Sequence, residues 1–290
     1  MKKTNSIQIG CHVSSAGGLW NAPKNAGLLG CETFQMFSRS PQGGPVSAIT
    51  AEVQEKFMAA MQEAGIRDFV IHAPYIINFG SATPKTFNGS IAIVRGELER
   101  GSLLGARYVM FHPGSFKDLG EEAGMVQLKA GLTEVLQGYE GKTELLIEIS
   151  AGAGSVAGDT FEELAEMVSA LKDMHGFGGI CYDTQHAFAS GYDIRTKKAA
   201  VETFARFDEV VGKQYLRMSH VNDSKVEFGS HKDRHEHLDE GHIGKSGFVA
   251  FMEQVKKYTT ESDYFPLILE TEHEKVVQDI ALLKKIREGA

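Results

Sequence analysis

The stretch ELLIEIS, residues 144–150, is a short apolar run that closes on a carboxylate at Glu148. A continuous apolar run of about four to eight residues fits a buried strand better than a helix, which needs about ten or more. Five further runs share the design: FVIH closes on His72, VMFH on His112, ICYD on Asp183, YLRMSH on His220 and PLILE on Glu270. Histidine and carboxylates are the usual ligands of catalytic zinc and its relatives. A single histidine at the end of an apolar run is ordinarily a satisfied polar residue. Six independent structural residues, however, have no common reason to be His, His, Glu, Asp, His and Glu. The set points to one metal site assembled from six strands.

Outward from this stretch, strand and helix patterns alternate eight times along the 290 residues. Strands are expected at 7–14 (IQIGCHVS), 31–37 (CETFQMF), 67–73 (RDFVIHA), 107–113 (RYVMFHP), 144–150, 178–184 (GGICYDT), 215–223 (YLRMSHVND) and 265–271 (FPLILET). Amphipathic stretches lie between them, among them 50–65, 161–173, 198–211 and 247–258, and a last one at 275–289 follows the eighth strand. Eight βα units without a long Pro- or Ser-rich linker predict an α/β protein, a (β/α)8 TIM barrel forming a single domain over residues 1–290. The runner-up, a doubly wound open sheet, would spread the ligand-bearing strand ends along an edge. A barrel gathers them on its C-terminal rim, where such enzymes place their chemistry.

Composition narrows the function. A formal net charge of −8 gives no basic footprint of a general nucleic-acid coat. A local cationic site stays open, because bound divalent ions invert the charge of the carboxylates that hold them. Cys11, Cys31 and Cys181 are odd in number, lack a CxxC spacing and sit in or beside apolar runs, so buried free thiols are expected. MKKTNSIQIG has no apolar leader, and no run of about 18 apolar residues occurs, which predicts a soluble cytoplasmic protein with no membrane contact.

Two further groups enrich the site. In DTQH, Asp183 and His186 lie three apart, so His186 can reach the same rim. In HKDRHEH, Asp233 and His235 would share one side of an extended segment, and His231 and His237 share their parity, so spacing does not choose among them. Glu272 and His273, which follow Glu270 in ETEH, are equally ambiguous. Nine candidates (His72, His112, Glu148, Asp183, His186, His220, Asp233, His235 and Glu270) exceed the roughly four to six ligands of one ion, which implies more than one metal. GAGSVA at 152–157 fits a GxGxxA dinucleotide pattern, but the next helix starts only near Thr160, so the required strand–turn–helix context is missing. His12 closes the first strand, either behind the ligands, at a phosphate, or as a plain core residue.

In order along the chain, HVSSAGG (12–18), HAPYIINFG (72–80), FHPGS (111–115), DTQHAFASGYD (183–193), HVNDSKVEFGSHKDRHEHLDEGHIG (220–244) and PLILET (266–271) resemble the endonuclease IV family of apurinic/apyrimidinic-site endonucleases, over essentially the whole length. The resemblance implies a barrel with three zinc ions, manganese in some members. His72, His112 and Glu148 would hold one ion. Glu148 would bridge to a second, held also by Asp183, His220 and Glu270, and His186, Asp233 and His235 would hold the third. It further implies a base-excision-repair enzyme that cuts duplex DNA 5′ to an abasic site, leaving a 3′-hydroxyl and a 5′-deoxyribose phosphate, with 3′-phosphodiesterase activity, acting as a monomer. Glu148 would be catalytic by orienting the attacking water.

DNA contacts are expected from loops over the rim. Tyr75 and Ile76 match family side chains that fill the gap in the duplex. Where the family has an Asn-Pro-Arg-x-Trp-like loop, this chain has SRSPQGGP at 38–45, with Gln42 and Gly44 at the arginine and tryptophan positions and Arg39 left as a phosphate contact. Ile149-Ser150 likewise replaces the usual Asn-Thr after Glu148. The competing function is a metal-dependent sugar isomerase or epimerase on a related barrel. Such enzymes typically use fewer metals and need neither the DRH segment nor the DTQH histidine.

Overall fold

The structure is a computed structural model that describes residues 6–259 and 264–289. In chain order its elements are β1 (Ile7–His12), α1 (Asn21–Leu28), β2 (Thr33–Met36), α2 (Ala51–Ala64), β3 (Val70–His72), α3 (Pro84–Leu104), β4 (Tyr108–Phe111), α4 (Glu121–Leu136), β5 (Glu144–Glu148) and α5 (Phe161–Leu171). They continue with β6 (Phe177–Asp183), α6 (Thr184–Ala189), α7 (Lys197–Val210), β7 (Leu216–His220), β8 (Asp223–Ser224), β9 (His235–Glu236), α8 (Gly244–Tyr258), β10 (Phe265–Leu269) and α9 (Val276–Glu288). Strands β1 to β7 and β10 close into one barrel in the order β1-β10-β7-β6-β5-β4-β3-β2, with helices in the connections. The architecture is the expected (β/α)8 barrel.

The barrel has two apolar populations because alternate residues of a strand face opposite sides. Val70, Tyr108, Met110, Leu146, Cys181, Met218, Tyr264 and Ile268 form the interior. Their strand neighbours, such as Ile71, Val109, Ile147, Ile180 and Leu267, join the larger core beneath the helices. Stepping two residues along the strands from Val70, Met110, Leu146, Cys181, Met218 and Ile268 lands on His72, His112, Glu148, Asp183, His220 and Glu270. The candidate ligands are therefore the next layer of the same stacked interior. Gly10 closes the barrel on its far side: a Cβ there would lie 1.7 Å from the Thr33 carbonyl oxygen, so only glycine lets β1 and β2 pair.

Every expected strand but the sixth is shorter in the structure, the third and seventh most of all. The third is confined to Val70–His72, and the seventh ends at His220. Beyond His220 the chain leaves the barrel and β8 pairs antiparallel with β9, Ser224 opposite His235. This ribbon folds the 225–234 segment back over the rim. All three cysteines are free and buried, and Cys11 Sγ lies 3.6 Å from Cys31 Sγ. Among the described residues no helix is long and apolar enough to cross a membrane.

Candidate metal centre

Glu148, fully buried at the end of β5, lies at the middle of the rim. Its Oε1 is 2.8 Å from His220 Nδ1 and 3.3 Å from His186 Nδ1, while Oε2 is 3.4 Å from His112 Nε2 and 4.0 Å from His72 Nε2. Three sets of side chains bring their ligand atoms within 4.8 Å of one another: His72, His112 and Glu148; Glu148, Asp183, His220 and Glu270; and Asp183, His186 and His235. Asp233 joins the last set, with Oδ2 3.4 Å from His186 Nε2 and Oδ1 3.4 Å from His235 Nε2. A fourth grouping puts the Cys181 thiol, one layer down, against Glu148 and His220.

Local structure aims these groups. Asp183 caps the short helix α6: its Oδ1 accepts from His186 N at 2.8 Å, and its Oδ2 accepts from Asn222 Nδ2 at 2.8 Å while lying 3.7 Å from both His220 Nδ1 and His235 Nε2. Nδ1 of His72 donates to Ala73 O at 2.6 Å and Nδ1 of His186 to Ile149 O at 2.9 Å, which turns their Nε2 atoms into the cluster. The Ile149 contact is a main-chain one, so the departure at 149–150 leaves it intact. Ser150 Oγ is engaged by Ala157 O, at 2.7 Å.

The neighbouring histidines separate clearly. His237 is buried with Nδ1 on Asp279 Oδ2 at 2.7 Å, outside the ligand sets. His231 has a left-handed backbone, φ 53°, so parity along an extended strand does not hold there. Glu272 pairs with Lys225 at 3.7 Å.

The electrostatics are those of a cation site. Burial opposes ionisation of Glu148, yet His112, His220 and His186 hold its carboxyl well below the usual range. Burial likewise opposes charge on His220, but the acidic groups around it, Cys181, Glu148 and Glu270, hold it well above the usual imidazole value. His186 is raised against burial by Asp183, Asp233 and Glu148. The carboxylates thus draw positive charge from whatever is near. Glu148 Oε2, His186 Nε2 and His235 Nε2 are also buried without a hydrogen-bond partner. Each such atom costs about 1–3 kcal/mol. Three of them, converging with lone pairs available to a cation, fit metal ions bound among them.

The residues expected at DNA occupy different situations. Tyr75 and Ile76 are 60% and 46% exposed. The Tyr75 ring lies 5.1 Å from that of His72 and 6.2 Å from that of His112, centroid to centroid. Tyr75 N donates to Pro41 O at 3.1 Å, and a Cβ on Gly43 would come within 2.6 Å of Ile76 Cδ1, so the 38–45 loop is packed on these two residues. Gln42 is exposed on that loop. Arg39 instead turns inward, with Nε 2.8 Å from the buried Glu97 Oε1. His12 accepts at Nδ1 from Gln35 Nε2, 3.0 Å away, and burial, helped by His220 and His273, pushes it down to about 3, so it stands neutral behind the ligands. A cavity of about 430 Å³, lined by Tyr75, Ile76, His112, Ser150, His186 and Asp233 among others, opens beside the cluster.

Sequence reasoning missed two residues. Asn222 bridges Asp183 and Glu270, accepting from Glu270 N at 2.8 Å. Gln35 touches His220, Glu270 and His12. A signal for Gln35 existed, since it lies two residues beyond the interior-facing Thr33 on an expected strand.

The chain matches the family model of xylose isomerase-like TIM barrels over residues 24–289, which sets its class. It is 37% identical over 290 residues to a protein named probable endonuclease 4 from Nitrosopumilus maritimus (strain SCM1), covering 98% of this chain and 100% of that one. The crystal structure of endonuclease IV from Thermus thermophilus is similar at a TM-score of 0.84 and 31% identity, over 98% of this chain and 100% of that one. The protein belongs to the endonuclease IV family of enzymes. A D-tagatose 3-epimerase-like protein, at a TM-score of 0.73 and 18% identity over 97% of each chain, shares the fold alone.

Proposed function

We propose that this protein is an apurinic/apyrimidinic endonuclease that hydrolyses the phosphodiester 5′ to an abasic site in duplex DNA, leaving a 3′-hydroxyl and a 5′-deoxyribose phosphate, and that it also acts as a 3′-phosphodiesterase. The observation that carries the reading is the single buried carboxylate of Glu148 shared between two ligand sets, with a third set alongside. His72, His112 and Glu148 would hold one ion, Glu148, Asp183, His220 and Glu270 a second, and His186, Asp233 and His235 a third, as zinc or in part manganese. Bound there, such ions neutralise phosphate oxygens, lower the pKa of water and stabilise a leaving alkoxide.

The chain's own residues do the rest. Glu148 orients the attacking water for in-line approach. Tyr75 and Ile76 are exposed beside the cavity, where they can fill the space left by the missing base. A missing base makes extrusion of the nucleotide cheap, which selects the lesion. Gln42 on the adjoining loop faces solvent and supplies a polar contact to the backbone.

The test is incision of a duplex carrying one abasic-site analogue, before and after prolonged chelation, with metal content measured in parallel. Incision 5′ to the analogue, its loss with the metal, and close to three ions per chain are expected. Glu148→Gln should fold and lose more than about 100-fold in rate, since removing even an outer partner of a metal ligand costs 10–100-fold. No incision by the metal-replete protein would sink the reading, and one ion per chain would favour a sugar isomerase instead.

A further inference from the structure

We infer that Gln35 is the positioning residue that presents His220 to the metal centre, by fixing which ring nitrogen carries the proton and by tying His220 to Glu270 and His12. The inference rests on the metal-centre reading above. Gln35 is fully buried on β2, and its amide reaches side chains at the ends of β1, β7 and β10. His220 Nε2 donates to Gln35 Oε1 at 2.7 Å. Gln35 Nε2 donates to Glu270 Oε1 at 2.7 Å and to His12 Nδ1 at 3.0 Å.

The orientation of this amide is unique. A carboxylate only accepts and an amide nitrogen only donates, so Nε2 must face Glu270 and Oε1 must face His220. Flipping the amide would set oxygen against carboxylate. It follows that His220 carries a proton on Nε2. Its Nδ1 is left facing Glu148 Oε1 at 2.8 Å, Glu270 Oε2 at 3.3 Å and Asp183 Oδ2 at 3.7 Å.

His72 and His186 solve the same problem in the opposite sense. Their Nδ1 atoms are held by the main-chain carbonyls of Ala73 and Ile149, and Nε2 faces the cluster. His220 is the reversed case, and the group behind it is a side chain. A ligand histidine whose far N–H is engaged has its tautomer and ring direction set, and losing that partner typically costs about 10–100-fold in metal affinity or activity. The Gln35 amide also occupies Glu270 Oε1, so Glu270 presents its other oxygen to the centre.

Two variants separate positioning from packing. Gln35→Met fills the space without hydrogen bonds. Gln35→Glu keeps an acceptor for His220 and loses the donor to Glu270. Zinc-loaded protein with ¹⁵N-labelled histidine reports the tautomer of His220 through two-bond ¹H–¹⁵N couplings, and titration against a competing chelator reports each zinc affinity. Wild type should show a proton on Nε2 of His220. Gln35→Met should lose that fixed tautomer and weaken one zinc about 10–100-fold, with the other ions unchanged. Gln35→Glu should keep the tautomer and still weaken one zinc.

A folded Gln35→Met with the wild-type tautomer and wild-type affinities overturns the inference alone. Should Gln35→Met fail to fold, wild-type affinity for every ion in Gln35→Glu does the same. Wild-type protein that binds no zinc takes down the metal-centre reading with it.

Discussion

Glu97 sits fully buried in α3, and its charge is met by Arg39 Nε at 2.8 Å and by a hydrogen bond from Ser38 Oγ at 2.5 Å. Arg100 braces the same corner through Ser38 Oγ and the carbonyls of Ser38 and Ser47. Taking one partner from a buried pair strands the other charge, at a cost of about 3–5 kcal/mol. With Arg100 still nearby, Arg39→Ala should destabilise the protein by about 3 kcal/mol, read from urea denaturation. Unchanged stability would mean that Arg39 is free to serve as a phosphate contact. The sequence places Arg39 in a rim loop and so suggests such a contact. Its pairing with a glutamate 58 positions later is a property of the fold, and nothing local in SRSPQGGP encodes it. Gln35 escaped for a related reason: within TFQM it reads as a polar interruption, and only the closed barrel puts it against β7 and β10.

At the scale of elements, α5 begins on a capping arrangement with a pH-sensitive member. Thr160 Oγ1 accepts from Glu163 N at 3.2 Å, and Glu163 Oε2 accepts from Gly158 N at 2.5 Å. Burial raises the Glu163 carboxyl from 4.5 to about 7; Asp159 and Glu121 add to the rise, and the Gly158 hydrogen bond opposes it. A carboxyl raised in the folded state binds its proton more tightly there than in the unfolded chain. Its stabilising contribution is therefore present at low pH and is lost between about 4.5 and about 7. Glu163→Gln keeps an acceptor and removes the titration. The variant should melt close to wild type at about pH 4 and progressively higher than wild type up to about pH 7.5, where the gap levels off. A gap independent of pH would refute this.

Six of the eight barrel strands were legible because their apolar runs end on candidate ligand side chains. The β8–β9 ribbon was not, because its pairing depends on where the chain turns out of the barrel after His220. His231 shows the limit of parity arguments, since one left-handed residue breaks the alternation on which they rest.

For the whole molecule, the cluster concentrates Glu148, Asp183, Asp233 and Glu270 in a protein whose net charge is already −8. Ions that bind only the folded chain add stability, about 4 kcal/mol for each ion present at a thousand times its dissociation constant. In a chain of this size that corresponds to a melting point lowered by about 10 °C or more on exhaustive chelation. Zinc should restore it, and a melting curve indifferent to chelation would argue against structural coupling of the centre.

The stepping of each ligand two residues beyond an interior apolar side chain has a consequence for assembly. Side chains alternate, so a slip of one residue in any contributing strand would point its candidate ligand outward beneath the helices and turn an apolar neighbour toward the cluster. Six strands must be in step at once for the sets around Glu148 to close. If these sets hold metal as proposed, uptake would act as a proofreading step on the barrel itself: ions would be retained only by chains whose strands have found their places.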